Sequence, residues 1–174
     1  MQPTRTLTAH CTLSHPADGQ PLLTINNEHA KAEISLFGAH VLRYQRHSEP
    51  ASLWLSDKAV LDGSKPIRGG IPLCWPWFGP APARVGSGKP AHGFARTSLW
   101  TLDGVSDHGD GTLVHLSLRD TDASRALWPH AFELELDVLV GKELSLVLTT
   151  RNTGKTPLTY NAALHTYLQI SAPE

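Results

Sequence analysis

The 174-residue sequence predicts an all-β protein, an antiparallel β-sandwich, on three observations. Apolar residues alternate with polar ones over several runs of strand length. Turn-forming residues punctuate those runs at short intervals, and no stretch sustains a long helical period. Composition agrees, because 40% hydrophobic and 18% charged residues can build a core and are unlike a disordered chain.

In chain order, "HAKAEISLFGAHVLRYQRH" (residues 29–47) reads as two strands kinked near Gly38, and "SLWLS" (residues 52–56) as a short third. "TLVHLSLRD" (residues 112–120) alternates less strictly. The clearest strand is "FELELDVLV" (residues 132–140), where Phe132, Leu134, Leu136 and Val138 alternate with Glu133, Glu135 and Asp137, the mark of a half-buried strand. Gly141 and Lys142 interrupt it before Leu144, Leu146 and Leu148 resume the pattern, so the two runs predict a hairpin. After the turn "NTGKTP" (residues 152–157), "LTYNAALHTYLQIS" (residues 158–171) is expected to be a further strand. No internal repeat, linker or low-complexity segment divides the chain, and a single domain over residues 1–174 is expected.

Composition also excludes. A formal charge of −1 gives no overall field to attract nucleic acid or acidic membranes, so any anion site must be local. The N-terminus "MQPTRTLTAHCTLSHP" has no apolar run of signal-peptide length, and nothing approaches the roughly 20 apolar residues of a membrane span. A cytoplasmic protein with no nucleic-acid or membrane partner is expected. Cys11 and Cys74 lie far apart and read as reduced thiols, while ten histidines are scattered without HxH or HExxH spacing, so no metal site is expected.

Residues 66–100 break the strand pattern with prolines and glycines, as in "PIRGGIPLCWPWFGP" (residues 66–80). Long ordered loops are often functional, and Trp75, Trp77 and Phe78 argue against disorder. Arg68 precedes Gly69 and Gly70, which would let backbone approach a ligand closely, and its planar fork suits phosphate or carboxylate; the plainer reading is a surface arginine beside a turn. "AHGFART" (residues 91–97) sets His92 and Arg96 four apart, either as a polar cluster or as a loop histidine and a solvent-facing arginine. His165, in "LHTYL", would more often be a satisfied structural histidine than a catalyst. The three aromatics are ordinary core or a platform for the apolar face of a sugar.

In order, "KPIRGGIPLCWPWFGP", "AHGFARTSLW" and "LHTYLQIS" resemble three motifs of the D-hexose-6-phosphate mutarotases, or glucose-6-phosphate 1-epimerases, of the aldose 1-epimerase superfamily. The resemblance implies a galactose mutarotase-like supersandwich and cofactor-free interconversion of the α and β anomers of a small sugar phosphate. It implies His165 as the general acid at the ring oxygen and His92 as a hydrogen-bonding partner of the sugar; Phe78 is expected as a further substrate contact on the reading of the aromatics as a sugar platform. Arg68 and Arg96 match the cations expected around the 6-phosphate. Oligomeric state stays open. The departure is at the end: the family's general base is a glutamate on a strand well beyond the "HTY" motif, whereas here Glu174 follows Pro173 nine residues after His165. The expectation is therefore the N-terminal portion of a longer sandwich, with exposed strand edges, a tendency to self-associate and activity near the uncatalysed rate. A non-catalytic sugar-phosphate- or carbohydrate-binding module and a truncated product without function are the rival readings.

Overall fold

The structure is a computed structural model describing residues 2–170. Its first layer is a five-stranded antiparallel sheet in simple chain order, β1 (Gln2–Thr6), β2 (Cys11–His15), β3 (Leu22–Asn26), β4 (Ala30–Ser35) and β5 (His40–Arg46). The two-residue β6 (Leu73–Cys74) lies within the proline-rich segment, β7 (Thr101–His108) follows that segment, and β8 (Gly111–Arg119), helix α1 (Asp122–Leu127), β9 (Phe132–Gly141) and β10 (Leu144–Asn152) come next. The second sheet has the order β10-β9-β8-β7, and β11 (Ala163–Leu164) pairs with β6 as a separate two-stranded ladder.

Alternation explains how the layers meet. Leu23 and Ile25 of β3, Ala32 and Ile34 of β4, and Val41 and Tyr44 of β5 turn one face inward. Val114 and Leu116 of β8 and Phe132, Leu134, Leu136, Val138 and Val140 of β9 complete the same core from the other sheet. Polar bonds fasten the two sheets together: buried Asn27 donates to the Val140 carbonyl at 2.8 Å and to Thr112 Oγ1 at 3.1 Å, and the Tyr44 hydroxyl donates to the Gly141 carbonyl at 2.9 Å. Buried polar groups paired in this way fix the relative placement of the sheets as well as adding stability.

A register shift between Glu33 and Ile34 leaves Leu42 without a partner on β4, so Val41 and Tyr44, three residues apart on β5, both face the main core. Val41 enters the main core, while Leu42 packs with Phe37 and Ile67 in a second apolar cluster on the back of the first sheet. That second cluster anchors the chain that leads into Arg68.

The sandwich, the 132–152 hairpin and the kink near Gly38 match the sequence reading; Gly38 has φ +81° and Ala39 φ +46° between β4 and β5. Two expected strands are corrected. Residues 52–56 make only isolated bridges, Leu53 to Leu168 and Leu55 to Gly69. Within residues 158–170 only Ala163–Leu164 forms a ladder, and Ser171 lies outside the described residues. The facing chain explains both, because it carries Pro72, with no N–H, and Gly69 and Gly70, whose left-handed backbones interrupt extension. Helix α1 is too short to leave a period in the sequence and is held by a capping box between Thr121 and Ser124. Among the described residues no helix is long and apolar enough to cross a membrane.

Candidate functional site

The proline-rich segment separates its aromatics. Trp75 and Trp77 are buried in the main core, Trp75 meeting Phe94, Trp128 and Phe132, whereas Phe78 is 48% exposed. Of the three aromatics only Phe78 is therefore open to a ligand.

His92 is brought to Phe78 by a tight backbone device. Its N–H donates to the Gly79 carbonyl at 2.7 Å, and the Gly79 N–H donates back to His92 Nδ1 at 3.1 Å. With Nδ1 accepting, the neutral ring carries its proton on Nε2. Burial, with help from the charges of Arg96 and His165, lowers the His92 pKa and favours that neutral form. Gly93, at φ +69°, is needed here because a Cβ would lie 2.0 Å from the Trp75 carbonyl oxygen, the acceptor for the N–H groups of Phe94 and Ala95.

His165 arrives from the other side. Its N–H donates to the Pro72 carbonyl at 2.9 Å, and the Tyr167 N–H to Gly70 at 2.9 Å. The His165 ring centroid lies 5.7 Å from Phe78, 6.0 Å from His92 and 5.0 Å from Tyr167, while Phe78 and His92 are 5.0 Å apart. Tyr167 leads on to Trp54 at 5.9 Å, and the Arg68 guanidinium sits 6.0 Å from the Trp54 ring. His165, Phe78 and His92 thus form one ring cluster, with Arg68 at the end of an aromatic rim.

Arg96 is only partly exposed and donates from Nη2 to the Ala91 carbonyl at 3.0 Å, so it is tethered rather than solvent-facing; its Nε is buried without a partner among the described residues. Gly69 and Gly70 have a role other than the one the sequence suggested. A Cβ on Gly69 would lie 2.6 Å from the Trp54 carbonyl oxygen and one on Gly70 2.4 Å from that of Val41, so these glycines admit neighbouring backbone rather than a ligand.

Sequence reasoning missed His40, Trp54 and Tyr167. Tyr167 and Trp54 lie in runs read as strands, with no signal that they meet. His40 is 1% exposed and its Nε2–H donates to the Gly69 carbonyl at 2.7 Å. Burial pushes its pKa from the ordinary 6.5 down to about 4, with Arg96 adding to the fall and the Gly69 bond opposing it. Among the described residues no carboxylate forms an ion pair or side-chain hydrogen bond with Arg68, Phe78, His92, Arg96 or His165. No group of three or more potential metal ligands occurs among those residues.

Two facing antiparallel sheets, with histidines gathered on an irregular edge, define a galactose mutarotase-like β-sandwich. The chain belongs to the aldose 1-epimerase family, whose sequence profile matches residues 21–174. It is 37% identical over 153 residues to an Escherichia coli protein named "Putative glucose-6-phosphate 1-epimerase", a match spanning 88% of this chain and 50% of that one. The crystal structure of a "putative mutarotase (YeaD)" from Salmonella typhimurium superposes with a TM-score of 0.88 at 32% identity, over 97% of this chain and 55% of that one. A galactose mutarotase-like protein from Lactobacillus casei shares the fold, with a TM-score of 0.60 at 22% identity over 78% of this chain and 45% of its own. The chain spans about half the length of the relatives it matches.

Proposed function

We propose that this chain forms the acid and phosphate side of a hexose-6-phosphate 1-epimerase site, with residues 1–174 a portion of a single mutarotase-like sandwich domain. The observation that carries the reading is the convergence of His165, His92 and Phe78, with rings no more than 6.0 Å apart, with Arg96 near enough to His92 for its charge to act on that ring and Arg68 at the far end of the rim through Tyr167 and Trp54.

Anomer exchange needs a proton delivered to the ring oxygen and one removed from the C1 hydroxyl. The C1 to ring-oxygen bond then breaks, the open aldehyde rotates about its C1–C2 bond, and reclosure returns both protons. Protonated His165 gives the first proton and recovers it on reclosure. Neutral His92, with Nε2–H free to donate, orients the sugar beside the same oxygen. Phe78 covers an apolar face of the ring, and Arg68 and Arg96 hold the phosphate through charge-assisted hydrogen bonds. The second proton goes to a carboxylate base, which by family resemblance is a glutamate beyond the "HTY" motif. The reading implies a cytoplasmic setting, because charged sugar phosphates do not cross bilayers unaided.

The absence of a carboxylate engaged with the cluster among the described residues favours a second reading, a sugar-phosphate-binding module without turnover. A general base contributes roughly 100 to 10,000-fold, so a chain lacking one would show binding with rates near the uncatalysed reaction. Coupled mutarotation assays and calorimetry with glucose 6-phosphate and glucose separate the two. Saturable turnover lost in His165→Ala supports the enzyme, and phosphate-dependent binding without turnover supports the module. No binding of either sugar overturns both.

A further inference from the structure

We propose that His40 is a positioning residue for phosphate recognition: from the first position of β5, at the end of the bend that follows β4, it sets the loop carrying Arg68 and seats Arg96, so that both guanidinium groups serve one phosphate. The inference rests on the site reading above and adds to it a residue that touches neither the sugar nor the phosphate.

The bend at residues 36–41 is fastened to both arginine-bearing loops. On the Arg96 side, the Gly38 N–H donates to the Ser98 carbonyl at 2.7 Å, the Trp100 N–H donates to Leu36 at 2.9 Å, and Phe37 bridges Leu99. Gly38 also lies so close to the Arg96 backbone that a Cβ would stand 2.6 Å from the Arg96 carbonyl oxygen. On the Arg68 side, the Ile71 N–H donates to Val41 at 2.9 Å, and His40 itself donates to the carbonyl of Gly69, the residue that follows Arg68. A Cβ on Gly70 would come within 2.9 Å of His40 Nε2, so the Nε2 edge of the imidazole lies against that turn.

Two buried polar atoms here, His40 Nδ1 and Arg96 Nε, have no partner among the described residues. They are complementary. With Nε2–H committed to Gly69, Nδ1 carries a lone pair, while Arg96 Nε carries a hydrogen, and the Arg96 charge is close enough to act on the imidazole. Unpaired buried groups of this kind are costly, and they mark places where a small movement or a bridging water completes a network. A modest turn of the Arg96 side chain, released from Ala91 and drawn toward a bound phosphate, would bring Nε–H toward Nδ1. His40 must stay neutral to play this part, since an imidazolium would repel the guanidinium and lose its acceptor.

The test compares His40→Leu and His40→Gln with the unaltered chain, measuring binding of glucose 6-phosphate and of glucose by calorimetry. His40→Leu is expected to weaken glucose 6-phosphate binding about tenfold or more, the size of one lost charge-assisted contact, while glucose binding is unchanged. His40→Gln, which retains an N–H donor for Gly69, is expected to recover most of the difference. If a folded His40→Leu chain keeps the phosphate preference, or if both variants lose it equally, the inference fails while the site reading stands. If the unaltered chain shows no preference for the phosphorylated sugar, both fall together. Should His40→Leu not fold, nitrogen NMR of the unaltered chain decides: saturable shifts of His40 Nδ1 and Arg96 Nε on adding inorganic phosphate support the proposal, and unmoved resonances overturn it.

Discussion

β9 and β10 are the two arms of one hairpin and carry nearly the same alternation, yet they end in different surroundings. Leu134, Leu136, Val138 and Val140 of β9 are fully buried, whereas Leu144, Leu146 and Leu148 of β10 are half-buried and Val147 is 56% exposed. The cause is position, because β9 lies between β8 and β10 while β10 is the sheet edge. The chain beyond β10 continues the contrast, with Leu164 41%, Leu168 66% and Ile170 71% exposed. Alternation reports which face is apolar, and neighbouring strands decide how far that face leaves water. The contrast also runs through the candidate site: His40 and the bend behind both arginines sit on the closed side, and His165 and Phe78 on the open one.

The largest expected effect tests the contrast directly. Leu136→Ala, at a fully buried position, is expected to cost roughly 2 to 5 kcal/mol through lost burial and a residual cavity. Leu146→Ala on β10 should cost about 1 kcal/mol, because that side chain is only partly buried. Denaturant melts of the two variants check this. Equal losses would break the comparison and mean that the inner face of β10 is covered in solution.

Next in size is the pH dependence contributed by His40. Its folded pKa of about 4 lies below the ordinary 6.5, so the unfolded chain takes up the proton first as pH falls. The contribution is fully present above pH 6.5, is lost as pH falls toward 4, and changes no further below that. The loss amounts to roughly 3 kcal/mol at most. Melts over that range should show a steeper acid decline in the unaltered chain than in His40→Leu. Parallel curves would remove His40 from the closed side. Smaller again is Asn27→Ala, which removes the bonds to Val140 and Thr112 and is expected to cost about 1 to 3 kcal/mol in the same melts.

What the sequence revealed follows the same division between local pattern and long-range contact. The hairpin at residues 132–152 was legible because its alternation is local, and the proline-rich segment because Pro and Gly forbid regular strands. The N-terminal strands β1, β2 and β3 are only five residues each, too short to stand out. Residues 158–170 looked like a strand because their own pattern allows one, while the obstacle lies in Pro72, Gly69 and Gly70 on the facing chain. Arg68, Phe78, His92, Arg96 and His165 stood out through motif and composition. His40, Trp54 and Tyr167 did not, since their roles depend on contacts between distant parts of the chain.

The smallest expected effect concerns the outer side of β10. Val147 points to solvent on an edge strand, so Val147→Lys should change stability by no more than about 0.5 kcal/mol. A charge on an edge strand opposes pairing with another edge, and the same substitution should lower self-association measured by light scattering at increasing concentration. The two readouts separate burial from edge pairing. A large stability loss would show that Val147 is packed against something in solution. Unchanged scattering with unchanged stability would move any self-association away from β10, toward the exposed Leu164, Leu168 and Ile170. Leu168→Ser then becomes the sharper probe, because the bridge between Leu53 and Leu168 is made by backbone and survives the loss of the side chain.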